Sequence, residues 1–113
     1  MDSCLFCKII SGEIPSKKLY EDEFVYVFDD IEPQAPVHFL VIPKKHLKSL
    51  DALEEEDELL GGHILRVASK IAKEKGIEGA YRIVSNCGEE AGQSVGHLHF
   101  HVLGGRSLNW PPG

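Results

Sequence analysis

The chain has 113 residues, of which 42% are hydrophobic and 27% charged, and a formal net charge of −6. This length predicts one domain, residues 1–113, with one modest core. No apolar run approaches the ~20 residues that cross a membrane, and no lysine and arginine cluster offers the basic surface of a nucleic-acid binder. We therefore expect neither a membrane nor a nucleic-acid polymer as partner, whereas a small phosphate ligand stays open.

The N-terminal segment predicts both a location and a first helix. It lacks a basic region before its apolar part and does not resemble a secretory signal. We expect a cytoplasmic protein, in which the three cysteines stay reduced or hold a metal. Residues 3–17 combine a helical apolar cluster with a stop at Gly12 and a turn at Pro15.

Three strands are predicted next. Residues 18–22 and 23–30 are typical of short strands, and the second is rich in β-branched and aromatic residues. Two prolines, which cannot donate to a strand ladder, mark residues 31–36 as a loop. Residues 37–43, "VHFLVIP", are nearly all apolar, which predicts a strand at the centre of a sheet.

Residues 51–76 form the only long helical pattern, with acidic residues in the first turns and Gly76 as a stop. Gly61 and Gly62 would each cost ~1 kcal/mol relative to alanine inside a helix, so either another backbone passes close to them or the helix begins later. Residues 80–86 and 96–104 are the last two strands. The predicted fold is α+β, an antiparallel sheet of about five strands with one main helix across it and a short N-terminal helix.

Every second residue in the middle of the last predicted strand is a histidine: His97, His99 and His101. Side chains of a strand alternate between faces, so the imidazoles would lie on one face about 6.6 Å apart and the apolar residues between them on the other. A solvated face has no reason to repeat histidine three times. Imidazole has a pKa near 6.5 and ring nitrogens that bind metals, attack as nucleophiles or transfer protons.

The loop before this strand, residues 86–96, indicates a phosphate site. Its glycines allow backbone N–H groups to converge on an anion, and Gln93 and Ser94 would add neutral donors. A zinc site in the histidine row stays open, but a catalytic zinc would need a further ligand and a general base.

The block "HLHFHV" resembles the signature of the histidine triad family. Four ordered blocks resemble its branch of small nucleotide-binding proteins: "CLFCKIISGEIPSK", "DIEPQAPVHFLVIPKKH", "AGQSVGHLHFHVLGG" and "WPPG". The tail "LGGRSLNWPPG" favours that branch over the dinucleoside polyphosphate hydrolases. The resemblance covers nearly the whole chain.

This resemblance implies a homodimer whose sheets join into one, which binds purine nucleoside monophosphates and hydrolyses adenosine phosphoramidates to AMP and an amine. His99 matches the nucleophile, which becomes a nucleotidyl-imidazole until water releases AMP. His97, His101 and His38 match the positions around it. His101 would hold phosphoryl oxygens or protonate the amine, and Ser94 would relay that proton. His38 would fix ring orientation, or would simply be a satisfied core histidine.

The resemblance also implies a nucleotide site. The residues assigned to it are Phe6, Phe28, Asp30, Ile31, Asn86, Gly92, Gln93, Ser94, His99, His101 and Trp110. Asp30 matches the carboxylate for the ribose hydroxyls, although Asp29 and Asp30 would also suit a solvated turn. The three apolar members near the N-terminus would flank the base, although such spacing is more often plain core. Asn86 matches a polar residue on the phosphate side.

The spacing Cys4-x-x-Cys7 suits a metal, although one such pair is a weak signal. His46 and His97 would complete a Cys₂His₂ site, as in several bacterial-type members that this sequence resembles, so we expect a structural zinc that catalysis does not require. Its removal should cost stability more than catalysis. The alternative is two reduced thiols packed under a helix, and Cys87 is left over.

Two other functions stay open. One is hydrolysis or transfer on dinucleoside polyphosphates, against which the Trp110 tail argues. The other is a non-catalytic nucleotide-sensing module with a protein partner, against which the intact His99 and Ser94 argue. Residues 107–113 hold one large aromatic before two prolines, which predicts an arm reaching the other chain of a two-fold homodimer, unless the terminus is frayed.

Overall fold

The computed structural model of the protein describes residues 3–113. Its helices and strands are, in chain order, α1 (Leu5–Ser11), β1 (Lys18–Glu21), β2 (Val25–Asp29), β3 (Val37–Pro43), α2 (Glu58–Glu74), β4 (Tyr81–Val84) and β5 (Phe100–Gly104). Within residues 3–113, the strands form one antiparallel sheet of five strands in the order β1-β2-β3-β5-β4. The predicted α+β fold with one long and one short helix is confirmed. No helix in this part of the chain is long and apolar enough to span a bilayer.

The central strand β3 separates two cores, as its apolar sequence predicts. Phe39 and Val41 are buried with the apolar side of α2, whereas Leu40 and Ile42 are buried with the apolar side of α1. Because neighbouring side chains of a strand point to opposite faces, His38 lies on the same face as Leu40. The sheet therefore places this histidine on the α1 side.

The long helix begins at Glu58, seven residues after the predicted start at residue 51. A buried carboxylate explains the later start, because Asp57 accepts hydrogen bonds from the Lys45 ammonium at 2.7 Å and from the Glu54 N–H at 3.0 Å. A Cβ added at Gly61 or Gly62 would meet nothing within 4 Å. The helix does begin later than predicted, but both glycines still lie inside it, and the close approach of another backbone to them is wrong. The predicted stop is confirmed, since the residue at 76 has φ +78°, which glycine adopts without strain.

The last strand begins at Phe100, four residues later than the pattern predicts. The ladder with β3 ends at the Val41–Phe100 pair. In the same register Leu98 would lie opposite Pro43, which has no N–H to donate. The N–H of Leu98 instead donates to the carbonyl of Leu47 at 2.7 Å. Of the three alternate histidines, His101 alone belongs to β5.

Candidate active site

The alternate histidines stay side by side although two of them precede β5. The ring centroids of His99 and His101 are 5.1 Å apart. Phe6 of α1 contacts His97 and His99 edge-on, with centroid distances of 5.9 and 5.1 Å. Because Phe6 belongs to the α1-side core, the imidazoles lie on that face of the sheet, as their period of two predicts.

One hydrogen bond defines which ring nitrogen of His99, the middle histidine, carries the proton. The Nδ1 atom of His99 lies 2.7 Å from the carbonyl oxygen of His97, and the ring is buried. A carbonyl oxygen only accepts hydrogen bonds, so Nδ1 of His99 carries the proton. In the neutral ring its Nε2 atom therefore keeps a free lone pair.

A second chain of hydrogen bonds fixes His38 and His101. The N–H of Gln34 donates to Nδ1 of His38 at 3.0 Å, so the proton of His38 is on Nε2. That Nε2–H lies 2.9 Å from Nδ1 of His101, which must accept, so the His101 proton is on its own Nε2. Burial lowers the pKa of His101 to about 4, with a further contribution from His99 and His38, and burial also lowers the pKa of His38. Both rings are neutral at pH 7.

Asp30 faces this histidine pair, a contact that the sequence interpretation missed. One carboxylate oxygen lies 3.3 Å from Nε2 of His38 and 3.8 Å from Nδ1 of His101, and the other accepts the N–H of Glu32 at 2.8 Å. Asp30 follows β2, and its N–H donates to the carbonyl of His38 across the hairpin. The sequence feature that could have predicted this contact is the position of Asp30 directly after β2, in the loop that leads to His38 in β3. Asp30, His38 and His101 thus form one group of close polar contacts, with ligand atoms near enough to one another to hold a metal ion as well.

The glycine-rich loop is held together by its glutamine. Both Gln93 amide protons are used, since Nε2 donates to the carbonyls of Lys48 at 2.7 Å and Val95 at 3.0 Å, while Oε1 accepts the N–H of Gly88. The side chain therefore orders the loop, and the donors left to an anion are backbone N–H groups and the exposed Ser94 hydroxyl.

Two further residues of the predicted phosphate side lie together in this loop. A Cβ added at Gly92 would lie 3.8 Å from the Asn86 side-chain nitrogen, and Gly92 has φ +94°. The left-handed conformation at residue 92 favours glycine, which keeps this side of the loop free of a side chain.

The predicted base slot is only partly assembled. Phe6 and Phe28 are buried edge-to-face, with centroids 5.6 Å apart, which is the plain-core arrangement that the spacing also allowed. Ile31 is 90% exposed. Asp30, Ile31 and His38 line a cleft of about 330 Å³, so the side chain at position 31 is available to a ligand there.

The C-terminal tail lies along the β4 edge of the sheet. The Arg82 guanidinium donates to the carbonyl of Asn109 at 2.9 Å and lies 6.0 Å from the centre of the Trp110 ring. The Trp110 side chain is 80% exposed. The tail is thus anchored to β4 and presents its aromatic ring to the outside.

Four metal-binding side chains converge beneath α1. The ligand atoms of Cys4, Cys7, His46 and His97 all lie within 4.8 Å of one another. The Cys4–His97, Cys7–His97 and Cys7–His46 pairs are 3.3, 3.6 and 3.3 Å apart, and the two histidine nitrogens are 3.1 Å apart. Zinc bond lengths place tetrahedral ligand atoms about 3.3–3.8 Å apart, which these separations approach.

The protonation of the cluster also suits a cation. The Nε2–H of His97 donates to the carbonyl of Pro43 at 2.8 Å, which leaves the Nδ1 lone pair toward the thiols. Burial lowers the pKa of His97 and, with the neighbouring Cys4 thiol, raises the pKa of Cys7 to about 11. A neutral imidazole is a ready ligand, and a bound cation would offset the cost of making the buried thiolate.

Comparisons with known proteins agree with this fold. The family model described as "Scavenger mRNA decapping enzyme C-term binding" matches residues 3–109. An uncharacterized HIT-like protein of Synechocystis is 50% identical over 99% of this chain and 98% of its own length. A HIT family hydrolase of Legionella pneumophila has a TM-score of 0.96 at 46% identity, covering 98% of this chain and 100% of that chain. A histidine triad nucleotide-binding protein of Candida albicans has a TM-score of 0.82 at 39% identity, covering 96% and 83%. The chain belongs to the histidine triad family.

Proposed function

We propose that this protein is a purine nucleotide-binding hydrolase that cleaves the P–N bond of adenosine 5′-phosphoramidates through a covalent nucleotidyl intermediate on His99. The observation that carries the proposal is the 2.7 Å hydrogen bond from Nδ1 of His99 to the carbonyl of His97. It leaves a lone pair on Nε2 of His99, which is what a nucleophile at phosphorus requires. The hydrolase named in Legionella and the nucleotide-binding protein named in Candida support the same class.

The two steps of the reaction follow from the tautomers. Nε2 of His99 attacks the α-phosphorus, a P–N bond to the enzyme forms, and the bond to the amine breaks. The Nε2–H of the neutral His101 ring donates a hydrogen bond to a phosphoryl oxygen, and the leaving nitrogen takes its proton from a water molecule, either directly or through Ser94, so that no imidazolate forms. The hydroxide that remains attacks phosphorus, the bond to Nε2 of His99 breaks, and AMP leaves. His38 donates to Nδ1 of His101 and thereby keeps the His101 proton on the side of the substrate.

The phosphoryl charge would be stabilised by backbone N–H groups of the loop that Gln93 orders. Asp30 would accept hydrogen bonds from the ribose hydroxyls in the cleft that it lines together with Ile31. Since Asp30 also lies beside His38 and His101, it would connect sugar binding to the orientation of the hydrogen-bond donor.

We propose that Cys4, Cys7, His46 and His97 hold a structural zinc ion. When bound, it would join the start of α1, the segment after β3 and the segment before β5. The four ligands are all protein side chains, so no open coordination position is left for substrate.

We also propose a two-fold homodimer whose sheet continues from one protomer to the other, with residues 107–113 of one protomer shaping the site of its partner. β4 is an edge strand in the order of the sheet, and unpaired edges are a liability that a two-fold axis removes. The exposed Trp110 ring is anchored beside that edge by Arg82.

The decisive experiment compares turnover of an adenosine 5′-phosphoramidate with turnover of a dinucleoside polyphosphate. The proposal expects release of AMP and an amine from the first at the higher kcat/KM. Preference for the polyphosphate would move the protein to the other hydrolase class. Binding of AMP with turnover of neither substrate would leave a nucleotide-sensing module.

A further inference from the structure

One short helix carries both thiols of the metal cluster and an aromatic ring that touches the nucleophile. α1 has seven residues, and the side chain of Cys4 at its start accepts the N–H of Cys7 at 3.3 Å. Between the two thiols, Phe6 meets His97 and His99 at interplanar angles of 70° and 88°. Any movement of α1 therefore moves the Phe6 ring against His99.

The main chain gives a second connection between the cluster and His99. His97 is held on both ring nitrogens, by the Cys4 thiol at 3.3 Å and by the Pro43 carbonyl at 2.8 Å. The carbonyl of this same residue accepts the Nδ1–H of His99. The group that fixes the tautomer of the nucleophile thus belongs to a metal-binding residue.

α1 has few other anchors. Two of its residues, Phe6 and Ile9, are buried, and isolated helices of this length are unstable in water. Thiols bound to a common ion would tie the first turn of the helix to His46 and His97. Without that tie, the Phe6 ring and the His97 peptide each gain freedom.

We propose that the Cys4–Cys7–His46–His97 centre is a positioning device for the nucleophile, with Phe6 as the positioning residue. Zinc binding holds α1 against the sheet, and Phe6 and the His97 carbonyl then hold His99 with its proton on Nδ1. The kinetic part of this inference rests on the proposed function; the structural part does not. The sequence predicts that loss of the metal costs stability more than catalysis. The inference differs, because the contacts of Phe6 and the His97 carbonyl connect the metal cluster to His99.

The test compares zinc-loaded and chelator-stripped wild-type protein with a Phe6→Leu variant, which keeps every metal ligand. Phe24→Leu is the matched control, since it makes the same change in an aromatic ring that contacts His63 of α2 and belongs to no part of the cluster. Three quantities are measured: zinc content, the ¹⁵N NMR signals that report the tautomer of His99, and the rate of nucleotidyl-enzyme formation at saturating adenosine phosphoramidate. The AMP dissociation constant is measured alongside.

We expect stripped wild-type protein to show a mixture of His99 tautomers and about a tenfold slower nucleotidyl transfer, as loss of a supporting contact to a functional group typically costs. Phe6→Leu should retain zinc and lose a similar factor in rate. Stripping this variant should slow the transfer by a smaller factor than stripping wild type, because the Phe6 contact is already lost and only the His97 carbonyl is released. Phe24→Leu should match wild type in zinc content, tautomer and rate.

A stripped protein that keeps the Nδ1–H tautomer and the wild-type rate overturns the inference. So does a Phe6→Leu variant that loses AMP affinity alone, since Phe6 would then be a base contact only. If the stripped protein unfolds, the rate and tautomer in zinc-loaded Phe6→Leu decide. If no form of the protein gives a nucleotidyl-enzyme, the proposed function fails, while the tautomer measurement still tests the positioning role.

Discussion

The two faces of the sheet are built for different tasks. On the α2 side, a 17-residue helix covers a core of buried apolar residues. On the α1 side, a seven-residue helix covers a smaller apolar cluster, and the buried histidines at positions 38, 97 and 99 lie beside it. The short helix leaves room for polar groups in a place where burial lowers the pKa of imidazoles. The α2-side face is an apolar core, whereas the chemistry proposed above would take place on the α1 side.

The largest expected effect is a loss of catalytic turnover without a loss of the fold. His99→Ala should abolish turnover, because it removes the Nε2 lone pair that the hydrogen bond on Nδ1 leaves free beside Phe6 and His101. AMP binding should persist. Mass spectrometry of trapped protein should show one added nucleotidyl group on wild type and none on the variant. Wild-type turnover by His99→Ala would end the covalent mechanism.

A second prediction separates metal-based from core-based stability. Wild-type protein purified without chelator should hold about one zinc per chain, and Cys4→Ser/Cys7→Ser should hold none. Thermal and denaturant unfolding should show a lower free energy of unfolding for the double variant.

Ile71→Ala is the matched change on the other face. Ile71 is buried in the α2-side core, so its truncation should lower the free energy of unfolding by about 2–5 kcal/mol with zinc content unchanged. Absence of zinc from wild type, or full zinc in the double variant, would contradict the metal assignment.

Comparing the two faces also shows which features of the fold can be predicted from the sequence alone. β3 was predicted with its bounds because an apolar run ended by Pro43 is a local signal. The common face of the histidines followed from a period of two. The start of β5 was not predicted correctly, because it depends on the hydrogen bond between Leu98 and Leu47, which are far apart in the chain.

Two other features could not be predicted, because they also depend on contacts between segments that are distant in the sequence. Gln93 was expected to offer donors to an anion, yet its amide protons bond to Lys48 and Val95 carbonyls. The later start of α2 depends on the ion pair between Asp57 and Lys45. No periodicity records a hydrogen bond between distant segments. The four residues that lie together in the cluster were predicted from the Cys-x-x-Cys spacing and the family resemblance.

A smaller effect concerns pH. Burial lowers the pKa of His101 to about 4 in the folded protein, whereas an unfolded histidine has a pKa near 6.5. Between these values the unfolded chain binds more protons, so the stabilising contribution is present above pH 6.5 and is lost as pH falls toward 4. We expect a loss of about 1–3 kcal/mol, reduced by partial exposure of the ring and by Asp30 nearby.

The measurement compares urea unfolding of His101→Gln with its parent between pH 4 and 7. Both are made in the Cys4→Ser/Cys7→Ser background, so that protonation of metal ligands does not contribute. The variant should lose stability less steeply than its parent as pH falls. Equal slopes would show that His101 titrates normally in the folded state.

The smallest expected effect tests whether the α1-side chemistry extends beyond one protomer. Deleting residues 108–113 removes Trp110 and the Asn109 carbonyl that Arg82 binds, but it removes no residue of either core. The truncated protein should therefore stay a folded dimer and still cleave simple phosphoramidates, with the ratio of kcat/KM for bulky and small leaving amines changed by about tenfold. Trp110→Ala should reproduce most of this change, because the exposed ring is the part of the tail available to a partner. Light scattering that shows a monomer at micromolar concentration would contradict the dimer, and an unchanged substrate profile would leave the tail without a role in the site.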